Sequence, residues 1–107
     1  MIKIIINYQV KSFKELFKDC NNINSIIFRK FYRNNVTDMN FMFYGCSSLK
    51  ELNLSNFSTD KIESMNCLFF GCTSLKELNL SNFNTNNVKN MTYMFFGCSS
   101  LKESFKF

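Results

Sequence analysis

Residues 42–57 read MFYGCSSLKELNLSNF, and residues 68–83 read LFFGCTSLKELNLSNF. The step between them is 26 residues, and residues 94–101, MFFGCSSL, begin a third copy at the same step. A repeat of this length is one structural unit that cannot bury its apolar side alone and must stack on its neighbours. Columns of like residues follow: Gly45, Gly71 and Gly97; Cys46, Cys72 and Cys98; Met39, Met65 and Met91; Val36, Ile62 and Val88; Leu49, Leu75 and Leu101. One step earlier lies a worn copy. It aligns Cys20 with Cys46, Phe17 with Phe43, Phe13 with Met39 and Val10 with Val36, and Ile23, Ile26 and Phe28 with Leu49, Leu52 and Leu54. Phe31, Phe57 and Phe83 share a further position, and Ile5 takes the same place one step before them.

Each copy has two halves. In LKELNLS, Leu52 and Leu54 alternate with Glu51, Asn53 and Ser55, the period of a short strand with one buried face. In the other half, Val36, Met39, Met42 and Phe43 recur as one face of a helix, and Ile62, Met65, Leu68 and Phe69 repeat the spacing. Thr59 and Thr85 stand where a hydroxyl can cap free helix N–H groups. Gly45, Gly71 and Gly97 stand where a left-handed C-cap is wanted. The spacing therefore predicts strand–helix units stacked into a parallel sheet with an outer helical layer. A single domain over 1–107 is expected: a degenerate capping repeat at 5–30, full repeats at 31–56 and 57–82, and an incomplete repeat at 83–107.

The chain of 107 residues is 46% hydrophobic, too apolar for a disordered segment. Histidine is absent, which removes any His-based acid–base pair or His-ligated metal site within the chain. No phosphate-cradling glycine loop or paired-carboxylate arrangement appears either, so the expectation is a non-catalytic protein without a cofactor. The net charge of +5 is confined to residues 1–33, which carry seven basic and two acidic residues, while the rest of the chain balances. Basic residues without interleaved aromatics do not make a nucleic-acid module, and none is expected as partner. MIKIIINYQVKSFKEL lacks the long apolar core and cleavage site of a secretory signal, and nothing approaches a membrane span.

Four of the five cysteines occupy one repeat position, and no C-x-x-C occurs. They are read as free thiols filling a small-residue slot, with bridges between stacked neighbours or a metal site as the alternatives. The N-x-S/T triplets at Asn35, Asn53, Asn56, Asn79 and Asn90 are expected from an Asn-rich repeat without glycosylation.

The stretch FYGCSSLKELNLSNFSTDKIESMNCLFFGCTSLKELNLSNFNTNNVKNMTYMFFGCSSL resembles BspA-type leucine-rich repeats. It resembles more closely the surface-protein repeat described as lipoprotein-associated and of unknown function, through its L-x-L-S-N-F, V-x-x-M-x-x-M-F and G-C-x-S-L segments. The match is clear over residues 31–101 and weak over 5–30. It implies an α/β leucine-rich-repeat solenoid of about four 26-residue strand–helix repeats with a parallel sheet on the concave side. It also implies placement at a cell surface or secretion, and roles in adhesion and protein binding, with no catalytic residues. The ladder asparagine of many such repeats falls on Phe57 or Phe83 here, and Asn56 and Asn82 come one residue earlier, which leaves the bonding of that turn open.

The candidate binding face is the outward side of the strands: Glu51, Asn53 and Ser55, then Glu77, Asn79 and Ser81, continued in the worn copy by Ser25, Ile27 and Arg29. Such concave faces hold the ligands of solenoids. This one is polar and lacks aromatic or Arg anchors, so a protein or host-surface ligand would be held by avidity along an array. The alternative is a structural spacer or intracellular scaffold with no ligand of its own. At the C-terminus, Ser104-Phe105-Lys106-Phe107 shifts the apolar residues by one and no polar cap follows, which leads to the expectation that the chain is a fragment of a longer array or associates end-to-end.

Overall fold

A computed structural model describes residues 2–6, 13–29, 36–56 and 58–102. It contains one three-stranded parallel sheet in the order β1-β2-β3, with β1 at Lys3–Ile6, β2 at Ser25–Phe28 and β3 at Glu51–Asn53. β2 pairs with β3 at the 26-residue step, with Ile26 opposite Leu52. β1 pairs with β2 at a shorter step, placing Ile5 opposite Ile27. The first step is thus 22 residues, and Ile5 does not take the place one step before Phe31, which itself lies outside the described residues.

The helical layer is the main correction. Among the described residues there is no α-helix, so the chain is not a four-repeat strand–helix solenoid. The segments expected to be helical are chains of tight turns. In the segment from Met39 to Cys46, alternate N–H groups bond locally and across. Those of Met42, Tyr44 and Cys46 donate to the carbonyls of Met39, Phe41 and Phe43, while those of Phe41, Phe43 and Gly45 donate to Asn66, Leu68 and Phe70. The next copy repeats the pattern, with Cys67, Phe69 and Gly71 donating to Thr92, Met94 and Phe96. Parallel bridges Asp38–Ser64 and Ser64–Asn90 enter the same stack. Each backbone therefore satisfies half of its donors within its own turns and half on the following copy, instead of spending all of them along a helix axis.

The conformation that allows this has every fourth residue at positive φ: Glu15 and Asp19, Phe41 and Gly45, Cys67 and Gly71, Tyr93 and Gly97. Glycine takes that conformation freely, whereas each L-residue there costs about 1–2 kcal/mol. A helix cannot contain such residues in its interior. Close packing between copies explains why the strain is accepted. The rings of Phe17, Phe43, Phe69 and Phe95 stack in one column with centroids 5.9, 5.6 and 5.7 Å apart. Side-by-side helices stand about 8–10 Å apart and could not hold that column. Gly97 shows the closeness of the backbones, since a Cβ added there would lie 3.4 Å from the Gly71 Cα.

The core lies between the sheet and the turn stack. Met39, Met42, Phe43, Met65, Leu68 and Phe69 are all fully buried, as the apolar columns require. Thr59 does not cap a helix: its hydroxyl donates to the Asn84 carbonyl at 3.1 Å and accepts from the Asn84 N–H at 2.8 Å, joining two copies. Asn56 and Asn82 settle the open turn. Their side-chain amides donate to the carbonyls of Phe28 and Leu54 at 3.1 and 2.9 Å, one copy back in each case. A second asparagine ladder runs at the start of the turns, where the Asn40 side-chain oxygen accepts from Asn66 N–H at 2.7 Å and that of Asn66 accepts from Thr92 N–H at 2.9 Å.

Candidate functional site

Among the described residues the sheet ends at β3. Glu51 and Asn53 lie in that strand and Ser55 just after it, all three exposed. Glu77, Asn79 and Ser81 are exposed as well, but their segment runs alongside β3 without joining the sheet. Two shallow depressions form between the segments, one lined by Asn53, Ser55, Asn79, Ser81 and Asn82, the other by Ile27, Lys50, Glu51, Glu77 and Asn79. Leu52 lines both and is half-buried, although it pairs with the fully buried Ile26. The six expected face residues are thus brought together, but across an open seam rather than on a continuous ladder.

The worn copy does not extend this face. Ser25 is buried, Ile27 is half-buried, and only Arg29 is exposed. The asparagines on the face also have a local task. The Asn53 side-chain oxygen accepts from the Ser55 N–H at 3.0 Å and hydroxyl at 2.6 Å, and that of Asn79 accepts from the Ser81 N–H at 2.9 Å. These contacts turn the chain at the end of each extended segment. What remains for a ligand is two side-chain amide N–H₂ groups, the serine hydroxyl oxygens and the two carboxylates. Glu77 shares its charge with Lys102 at 3.3 Å on the surface, a contact of small energetic worth.

The cysteine column is a row of free thiols. The Sγ–H of Cys46 donates to the Phe17 carbonyl at 3.2 Å, Cys72 to Phe43 at 3.3 Å, and Cys98 to Phe69 at 3.0 Å. Burial pushes the Cys46 thiol up to about 12, with the neighbouring Cys20 adding to the shift. Burial raises Cys72 further, helped by Cys46 and Cys98 on either side, and raises Cys98 as well. Such thiols are neutral at physiological pH and poorly suited to nucleophilic or ligating work. Among the described residues no group of three or more Cys, Asp or Glu side chains is placed to hold a metal ion, and no helix is long and apolar enough to cross a membrane.

A stripe of aromatic rings on the turn side was missed by sequence reasoning. Tyr44, Phe70 and Phe96 stack at 4.7 and 5.0 Å, Phe41 meets Tyr44 edge-on, and Tyr93 meets Phe96 in the same way. The signal was present as three aromatics spaced by 26 residues. A helical segment would set those positions apart from their counterparts in the next copy, which conceals that they stack.

No curated protein and no solved structure matches the chain. Residues 11–106 match the family described as Mycoplasma protein of unknown function, DUF285, and the chain, nearly all of which lies within that match, belongs to this family.

Proposed function

We propose that the chain is a non-catalytic binding module that holds a protein or cell-surface ligand weakly along the seam between β3 and the Glu77–Ser81 segment, gaining strength by repetition. The observation that supports this most is the convergence of Glu51, Asn53, Ser55, Glu77, Asn79 and Ser81 on two adjoining depressions. The face is polar and open, so single contacts are weak and multivalent display is the regime in which it works. The spacer reading is favoured by a specific observation too, namely that Asn53 and Asn79 already use their side-chain oxygens in their own turns.

Beads coated densely with the purified chain, overlaid on immobilised extracellular proteins and cell surfaces, separate the two readings. The Glu51→Lys, Glu77→Lys double variant is expected to lose at least about tenfold of the captured beads, because reversed charges on a binding face repel what the original face accepted. Capture that is absent for both, or equal for both, would favour a spacer.

A further inference from the structure

The strand half of the stack has a gap in its middle. Elsewhere each segment hangs on the one a step before it. The Lys50 and Glu51 N–H groups donate to the Asn24 carbonyl at 2.9 and 3.2 Å, and the Lys102 N–H donates to the Lys76 carbonyl at 3.1 Å. The step between is missing: among the described residues no backbone bond joins 50–54 to 76–80. Yet the two segments are fastened at both ends. The Ser74 hydroxyl donates to the Ser47 carbonyl at 2.6 Å, and the Asn82 side-chain amide donates to the Leu54 carbonyl at 2.9 Å. The result is a slit with fixed ends and unpaired lips. Successive peptide groups of a strand point to opposite neighbours, so the Leu52 N–H points into the slit, because that of Glu51 points to β2. The two depressions, of about 410 and 340 Å³, lie along it.

The side chains explain why the gap falls here. β1 meets β2 with Lys3 opposite Ser25 and Ile5 opposite Ile27, and β2 meets β3 with Ser25 opposite Glu51 and Ile27 opposite Asn53. The next step sets Glu51 against Glu77 and Asn53 against Asn79. Like charges directly opposite oppose pairing. Lys102 lies 3.3 Å from Glu77, but both are well exposed, so water screens the pair and the repulsion is offset only in part. Lys50 and Lys76 flank the two glutamates along the chain. Asparagine is a poor strand former, and Asn53 and Asn79 already bond within their own turns, which competes with a ladder.

We propose that the slit is a closable element and that it regulates the strand face. In the closed form residues 77–79 join β3 as a fourth strand, the Glu77 N–H reaches the Lys50 carbonyl, and the half-buried Leu52 is covered as Ile26 and Leu78 are. Because the ends are already fastened in register, closing needs no slip along the chain. The depressions exist only in the open form, so whatever relieves the Glu51–Glu77 contact removes them, and a ligand seated in them holds the slit open. The consequence for binding rests on the strand-face reading, whereas the closing itself does not.

Amide hydrogen exchange read residue by residue tests this. In the wild type the Leu52 amide is expected to exchange at least about tenfold faster than that of Ile26, which lies in the β2–β3 ladder. The Glu77→Ser, Asn79→Ile variant gives this segment the face residues of β2, and its Leu52 amide is expected to slow to the rate of Ile26. Glu77→Ser alone removes the like-charge contact, is expected to slow Leu52 by a smaller factor, and decides the matter where the double variant does not fold. A variant that had merely loosened would speed Ile26 up instead. A wild-type Leu52 amide as slow as that of Ile26, or one that stays fast in the variants, would overturn the proposal. Wild-type beads that capture nothing while this exchange pattern holds would sink the face reading and leave the closable slit supported.

Discussion

Replacing Phe43 by alanine is expected to lower the stability of the chain by about 3–5 kcal/mol in denaturant unfolding. Phe43 is fully buried at the centre of the aromatic column, parallel to Phe17 at 5.9 Å and to Phe69 at 5.6 Å, with Phe28 of β2 edge-on at 6.4 Å. Each aromatic contact adds about 0.5–1.5 kcal/mol to simple burial. The cavity left by alanine opens between copies, where the backbones are tied by ladder bonds and cannot collapse inward. A domain of this size has a total stability of about 5–15 kcal/mol, so the variant would be marginal. Phe96→Ala is the control, since it removes an equal ring from an exposed place and should cost far less. Equal losses for the two would show that the inner column does not carry the core.

A loss of comparable size is expected on raising the pH. A thiol whose proton is held more tightly in the folded chain stabilises it fully below the unfolded value near 9 and loses that contribution as pH rises towards the folded value, about 12 for Cys46 and higher for Cys72. Between those limits each thiol removes about 1.4 kcal/mol per pH unit, so two remove roughly 5 kcal/mol by about pH 11. Alkali acts on the chain in other ways too, so the measurement is a comparison. The Cys46→Ala, Cys72→Ala variant is expected to be somewhat less stable at neutral pH but to lose stability with a visibly shallower alkaline slope. Parallel slopes in the two proteins would refute the buried-thiol contribution.

The columns were legible in the sequence because stacking places like residues on like residues. The burial of Met39, Met42, Phe43, Cys46 and Leu49 and the pairing of Ile26 with Leu52 both follow from the 26-residue step. The conformation of the turn half was not legible. Tight turns with a left-handed residue at Phe41 and again at Gly45 bury Met39, Met42, Phe43 and Cys46, a spacing that a helix also gives. A glycine at 45 signals a left-handed residue, whereas nothing about the phenylalanine at 41 announces its positive φ. The deciding fact is how far apart neighbouring copies lie, and that belongs to the stack, not to any one copy.

The candidate face was legible to the same degree. Alternation correctly placed Glu51, Asn53 and Ser55 outward, and near-identity between copies extended this to Glu77, Asn79 and Ser81. Near-identity also suggested one continuous ladder, yet among the described residues the second segment forms no strand beside β3 and Leu52 is only half-buried in the seam. The exposed aromatic stripe follows from the same cause as the missing helices. Positions that would fan apart on helices come within 4.7–5.0 Å once the copies are tied by turns.

The central claim is that the turn half bonds across copies rather than along a helix, and scalar coupling through hydrogen bonds in an isotopically labelled sample measures this directly. The predicted result is a correlation between the Phe43 amide nitrogen and the Leu68 carbonyl carbon, whose N–H and C=O meet at 3.0 Å. A correlation from that amide to the Met39 carbonyl, the partner four residues back that a helix would supply, would contradict it.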